Sequence, residues 1–125
     1  MITTTYREAI QQALADEMAA DPSVVLLGED IGHAGGPFKV TEGLYERFGP
    51  SRLLDTPIAE TGILGCAVGM AITGMRPVAE IMFSDFLMVC TDQLVNNAAK
   101  YRYMSGGQTS VPMVVRTSCG GGIRF

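Results

Sequence analysis

Val24-Val25-Leu26-Leu27-Gly28 is an unbroken apolar run, framed by Asp21-Pro22 before it and Glu29-Asp30 after it. A strand with one face in water alternates apolar and polar residues, because successive side chains point to opposite faces. This run does not alternate, so the strand it predicts is covered on both faces, and such strands belong mostly to parallel sheets packed between helices. Upstream, Ala9, Ile10, Ala13, Leu14, Glu17 and Met18 recur at steps of three and four, which predicts a helix. Thr5 and Glu8 suit its first turn, and Asp21-Pro22 stops it.

Downstream, residues 29–39 read as a loop with Gly32, Gly35, Gly36 and Pro37, and Thr41–Phe48 as a short helix closed by Gly49-Pro50. Leu53–Pro57 predicts a second strand, and Ile58–Gly74 a loop passing into a buried helix. Pro77–Phe83 predicts a third strand interrupted by Glu80, Asp85–Tyr103 a long amphipathic helix, and Val111–Val115 a fourth strand. Alternating short strands and helices define an α/β fold, a mostly parallel sheet flanked by helices. Residues 1–125 form one domain, with no repeat and no linker. The closing run Ser118-Cys119-Gly120-Gly121-Gly122-Ile123-Arg124-Phe125 reads as a glycine-rich loop, so the domain is expected to be incomplete at its C-terminal end.

Composition removes several function classes. Nine basic against thirteen acidic residues give a net charge of −4, which disfavours nucleic acid as a partner. Three cysteines without a C-x-x-C pair, and a single histidine, His33, offer neither a disulfide framework nor a metal site. Free thiols and a start lacking a basic, then apolar, leader predict a cytoplasmic protein. The most apolar stretch, Thr61–Met75, contains Gly62, Gly65, Gly69 and Gly74 and is shorter than the roughly 20 residues a membrane span needs.

Glu60 is the first candidate for chemistry, a carboxylate at the mouth of a helix whose next turns carry no charge. It suits two roles: an acidic first-turn residue favoured by the helix dipole, or a partly desolvated carboxylate facing a ligand at the carboxyl ends of the strands. The helix behind it carries Gly62, Gly65, Cys66, Gly69 and Thr73, a small-residue face suited to tight packing or to a subunit contact. Phe86, at the end of the third strand, is either core or an aromatic surface for a flat heterocycle. Gly28-Glu29-Asp30-Ile31-Gly32 does not match G-x-G-x-x-G, and no Walker motif occurs. Gly120-Gly121-Gly122 reads as a flexible loop or an anion-binding nest. His33 reads as a surface residue, and Asp92, Asn96, Lys100 and Arg102 as the solvated or interface face of their helix.

Several blocks in order carry a family resemblance: Leu26-Leu27-Gly28-Glu29-Asp30, Gly35-Gly36-Pro37-Phe38-Lys39-Val40-Thr41 and Asp55-Thr56-Pro57-Ile58-Ala59-Glu60-Thr61-Gly62. Gly74-Met75-Arg76-Pro77-Val78-Ala79-Glu80, Asp92–Lys100, Tyr103-Met104-Ser105-Gly106-Gly107 and Val111–Arg116 continue it. Together they resemble the β subunit of thiamine-diphosphate-dependent 2-oxoacid dehydrogenases, in the pyrimidine-binding domain shared with transketolase. The resemblance implies that Glu60 hydrogen-bonds a ring nitrogen of the cofactor's aminopyrimidine and favours its imino tautomer, that Phe86 packs on this ring, and that Ile58 lines the same pocket. It implies oxidative decarboxylation of a 2-oxoacid such as pyruvate, with acyl transfer to lipoamide.

The implied partners are an α subunit, a second β subunit and a lipoyl-bearing acyltransferase core. The family's Gly-Asp-Gly motif for Mg²⁺ and diphosphate is missing from this sequence, so both are expected on the α subunit, and the chain alone is expected to be catalytically incomplete. Gly35–Thr41 is also similar to acetoin dehydrogenase β subunits, and a non-catalytic interaction module built on the small-residue helix is the alternative of another class.

Overall fold

The structure is a computed structural model and describes residues 3–122; the closing Ile123-Arg124-Phe125 of the glycine-rich run lies outside the described residues. Helix α1 spans Tyr6–Ala20. The Thr5 hydroxyl accepts the Glu8 N–H at 3.2 Å, and the Glu8 carboxylate accepts the Thr5 N–H at 2.9 Å. This reciprocal box satisfies two of the N–H groups that a helix start leaves open. Strand β1, Val24–Gly28, is buried along its whole length. Helix α2 (Leu44–Phe48), strand β2 (Leu53–Asp55), helix α3 (Glu60–Ile72) and strand β3 (Arg76–Phe83) follow. A 3₁₀ turn over Ser84–Met88, a π-helical segment over Gln93–Ala98, helix α4 (Tyr101–Met104) and strand β4 (Val114–Ser118) complete the order.

The strands form one sheet in the order β2-β1-β3-β4, and every pair is parallel. The register places Leu26 beside Leu53 and Val78, and Gly28 beside Asp55 and Glu80. The wholly apolar β1 is thus an inner strand with a core on each face. On one face Leu26 joins Ala15, Met18, Ile31, Leu44 and Leu53 beneath α1 and α2. On the other, Leu27 joins Ile63, Leu64, Ala67, Ala79 and Ile81 beneath α3. Successive leucines feed opposite cores, as the strand's period of two requires. The Arg52 guanidinium locks the lower end of the sheet by donating to the carbonyls of Met18, Asp21 and Val24 at 2.8–3.0 Å.

Two expectations from the sequence need correction. Asp85–Tyr103 is not one long amphipathic helix. A tight 3₁₀ turn and then a wide π-helical segment replace the α-helical ladder here, and the four-residue spacing is lost where Ala99 N–H bonds the carbonyl of Leu94, five residues back. The polar residues make their own ladder along this segment: Asp92 accepts from Asn96 at 2.7 Å, and Asn96 accepts from Lys100 at 2.6 Å. The fourth strand runs over Val114–Ser118 rather than Val111–Val115, because its pairing with β3 begins at Val78↔Val114 and continues to Phe83↔Ser118. That pair is irregular: between Ile81↔Thr117 and Phe83↔Ser118 the register shifts, leaving Met82 as an extra residue. Among the described residues no helix is long and apolar enough to cross a membrane.

Candidate functional site

Parallel strands bring their carboxyl ends to one edge of the sheet, where open α/β folds bind ligands. At this edge β1 gives way to Glu29, β2 to Thr56–Ala59 and then Glu60, and β3 to the turn carrying Phe86. Two hydrogen bonds stitch these exits together, and a third braces the segment after β3. Thr56 N–H donates to the carbonyl of Gly28 at 2.9 Å, tying the β2 exit to the end of β1. The Thr61 hydroxyl donates to the Val89 carbonyl at 3.0 Å, tying the first turn of α3 to the segment beyond β3. The Cys90 thiol lies 3.5 Å from the carbonyl of Phe86.

Glu60 is half-buried and is the first residue of α3. Ala59 before it contributes no side-chain cap, so the carboxylate itself is the acidic group at this helix mouth. Glu29 is also half-buried, and its Oε1 is shut off from solvent without a hydrogen-bond partner. Burial pushes the Glu29 carboxyl above the ordinary carboxylate range, and the negative charges of Glu60 and then Asp30 push it the same way. The Cys90 thiol is raised mainly by burial and, to a lesser degree, by Glu60. Thr56 adds a second buried oxygen without a partner, its Oγ1.

The apolar part of the edge stands outward. Ile58 is 82% exposed and Phe86 39% exposed, although both are residues that a folded chain ordinarily hides. Glu60, Ile58 and Phe86, the three site residues expected from the sequence, thus come to one edge. Glu29 was not singled out as a site residue by sequence reasoning. The signal that finds it is positional, a carboxylate placed directly after a fully buried inner strand.

Other singled-out residues lie elsewhere. His33 is exposed, with its ring 4.1 Å from that of Tyr45 and its Nδ1 3.5 Å from Glu46. On the small-residue face of α3, a Cβ at Gly65 would come within 3.7 Å of the Gln93 side chain, so part of the face packs against the π-helical segment. Gly62, Cys66, Gly69 and Thr73 remain exposed. Among the described residues no group of three or more His, Cys, Asp and Glu side chains is arranged to hold a metal ion.

Comparison with known proteins adds the following. A family profile described as "Transketolase, pyrimidine binding domain" matches residues 3–124. The chain is 49% identical over 123 residues to a 2-oxoisovalerate dehydrogenase subunit beta of Bacillus subtilis, covering 98% of this chain and 38% of that protein. It is 53% identical over 112 residues to a mitochondrial pyruvate dehydrogenase E1 component subunit beta-2 of Oryza sativa, covering 90% of this chain and 30% of that protein. A solved structure described as a split-gene transketolase, inactive beta4 tetramer, superposes with a TM-score of 0.59 at 27% identity, over 73% of this chain and 29% of its own. The chain therefore spans about a third of the length of the curated relatives it matches.

Proposed function

Since this chain belongs to the transketolase pyrimidine-binding domain family, we propose that its strand-exit edge is the pyrimidine half of a thiamine-diphosphate site in the β subunit of a 2-oxoacid dehydrogenase. The observation that carries the reading is a buried Glu29 Oε1 without a partner at the strand-exit edge where Glu60 opens α3. An aminopyrimidine offers an amino group that can donate to a carboxylate, ring nitrogens that can accept from a carboxyl O–H, and a flat face that suits the outward ring of Phe86. When bound, the cofactor supplies the electron sink for decarboxylation of a 2-oxoacid.

The chain's own residues have limited tasks. Glu60 hydrogen-bonds a ring nitrogen, Glu29 offers a second polar group at the same edge, and Phe86 and Ile58 fix the plane of the ring. The diphosphate and Mg²⁺ fall to a partner α subunit, because Glu29, Asp30, Asp55 and Glu60 make this edge repel a polyanion. The remaining assembly we propose is a second β subunit and a lipoyl-bearing acyltransferase that accepts the acyl group, in the cytoplasm. Pyruvate, 2-oxoisovalerate and acetoin form the substrate panel.

The test is calorimetric titration of thiamine diphosphate with Mg²⁺ into the chain alone and into its mixture with a diphosphate-holding α subunit. Binding is expected only in the mixture. In the assembled enzyme, Glu60→Gln is expected to lower turnover by about 10²–10⁴-fold, the usual contribution of a positioned acid or base. Tight binding by the chain alone, or a Glu60→Gln variant within about threefold of the parent, would overturn the assignment.

A further inference from the structure

Three phenylalanine rings run in series across the site edge. Phe86, on the 3₁₀ turn, meets Phe83 edge-on with centroids 6.1 Å apart, and Phe83 meets Phe38 edge-on at 6.2 Å and 89°. Both contacts lie within the range in which a ring's positive edge is attracted to its neighbour's negative face.

Each ring is held by a local departure from regular backbone. Phe83 follows the register shift at Met82, and an extra residue of this kind turns the side chains beyond it. Phe38 precedes Lys39, whose φ of +58° is left-handed and costly for a residue with a Cβ. The Lys39 ammonium donates to the carbonyl of Ala34 at 2.6 Å, and Thr41 N–H donates to that of Gly35 at 3.1 Å, closing the loop that presents Phe38. The outermost ring stays accessible, with Phe38 41% exposed.

We propose that Phe83 and Phe38 are positioning residues for the pyrimidine site, acting through Phe86. Without them the Phe86 ring sits on a short 3₁₀ turn at the surface with several orientations open to it. With them its plane is set before the heterocycle arrives, so less orientational freedom is lost on binding. This inference rests on the reading of the edge as a pyrimidine site. It assigns to the glycine-rich loop at residues 35–41 a role in cofactor affinity, although the loop contributes no polar group to the carboxylate pair.

The experiment uses the assembled α–β enzyme and thiamine diphosphate with Mg²⁺ as the probe. Phe38→Leu removes the outermost ring at an exposed position and is not expected to endanger folding. It is expected to weaken cofactor binding by about 2- to 12-fold, the equivalent of one edge-to-face pair, while turnover at saturating cofactor stays unchanged. Phe38→Tyr keeps the ring and places its hydroxyl in water, so it should restore parental affinity. Phe83→Leu should weaken binding at least as much, and Phe38→Leu added to it should then have no further effect.

Cofactor affinity unchanged in both leucine variants would overturn the inference while leaving the pyrimidine assignment intact. So would Phe38→Leu acting in full on top of Phe83→Leu. No cofactor binding by the parent assembly would remove the assignment and the inference with it.

Discussion

Removing the Arg116 guanidinium is expected to cost this small sheet more than any other single surface-to-core change at β4. Arg116 and Glu80 are register partners on adjacent strands, and Arg116 Nη1 donates to Glu80 Oε2. Their side chains are 18% and 8% exposed, so the pair is largely withdrawn from water. Breaking such a pair leaves an uncompensated buried charge and costs about 3–5 kcal/mol, whereas replacing both members by apolar residues is often neutral or stabilising. For a domain of this size, Arg116→Met should therefore lower Tm by about 10–20 °C.

The loss depends on pH with a definite sign. Burial raises the Glu80 carboxyl above its ordinary range, and Arg116 opposes that rise through its charge and its hydrogen bond. Between the unfolded and the raised folded value the native state binds the extra proton, so stability falls as pH rises through that window. Without Arg116 the window extends upward, and the deficit grows with pH. Urea unfolding followed by circular dichroism at pH 5 and pH 8 measures it. The reasoning fails if Arg116→Met stays within about 1 kcal/mol of the parent, if the deficit is equal at both pH values, or if Glu80→Met/Arg116→Met is no more stable than Arg116→Met.

Glu29→Gln should raise Tm above neutral pH and leave it unchanged in acid, because the Glu29 carboxyl is raised and its charge costs stability only once pH exceeds its unfolded value. A thermal shift that does not vary with pH in calorimetric scans would count against the burial and Glu60 repulsion assigned to it. Gly28→Ala should destabilise by about 1–3 kcal/mol, because a Cβ there would stand 2.8 Å from the Glu80 carbonyl oxygen and 3.0 Å from its Cβ. Neither neighbour is a flexible side-chain end, so unaltered denaturation midpoints would contradict the tight β1–β3 approach.

The fold was legible where one local rule dominated. The unrelieved apolar run at Val24–Leu27 forced a doubly covered strand, and Thr5 with Glu8 three residues later marked a helix start. The stretch after β3 was not legible. Its apolar spacing satisfied a helical period, but periodicity does not tell an α-helix from turns of three and five residues, because the apolar face survives either winding. Similarly, Val111-Pro112-Met113 has the composition of a strand, yet pairing with β3 starts only at Val114. Proline has no N–H to donate to a ladder, a reason to expect pairing to begin beyond Pro112. Of the proposed site, the positions of Glu60, Ile58 and Phe86 at element ends could be read from the sequence, while their roles there belong to the proposal. The unpartnered Glu29 carboxyl and the ring series could not be read. Both depend on residues distant in sequence, and only the parallel register brings their strand exits together.

A site of this composition is better built from two surfaces than from one. Burial first, and then the negative charges of Glu60 and Asp30, already raise the Glu29 carboxyl, so this edge disfavours further negative charge. A unit negative charge at roughly 10 Å from each carboxylate would meet about 1.7 kcal/mol of repulsion from each at an effective dielectric of about 20. Every further charge on a diphosphate multiplies that figure. Adding basic residues to the same edge would offset the repulsion, but it would also lower the raised Glu29 carboxyl and favour its anion. The requirements conflict on one surface and are compatible on two, with the heterocycle against the carboxylates and the polyanionic tail directed away from them. Such a division would leave this chain with the heterocyclic end of the ligand, in keeping with an edge that carries exposed Ile58 and Phe86 and partnerless buried oxygens of Glu29 and Thr56.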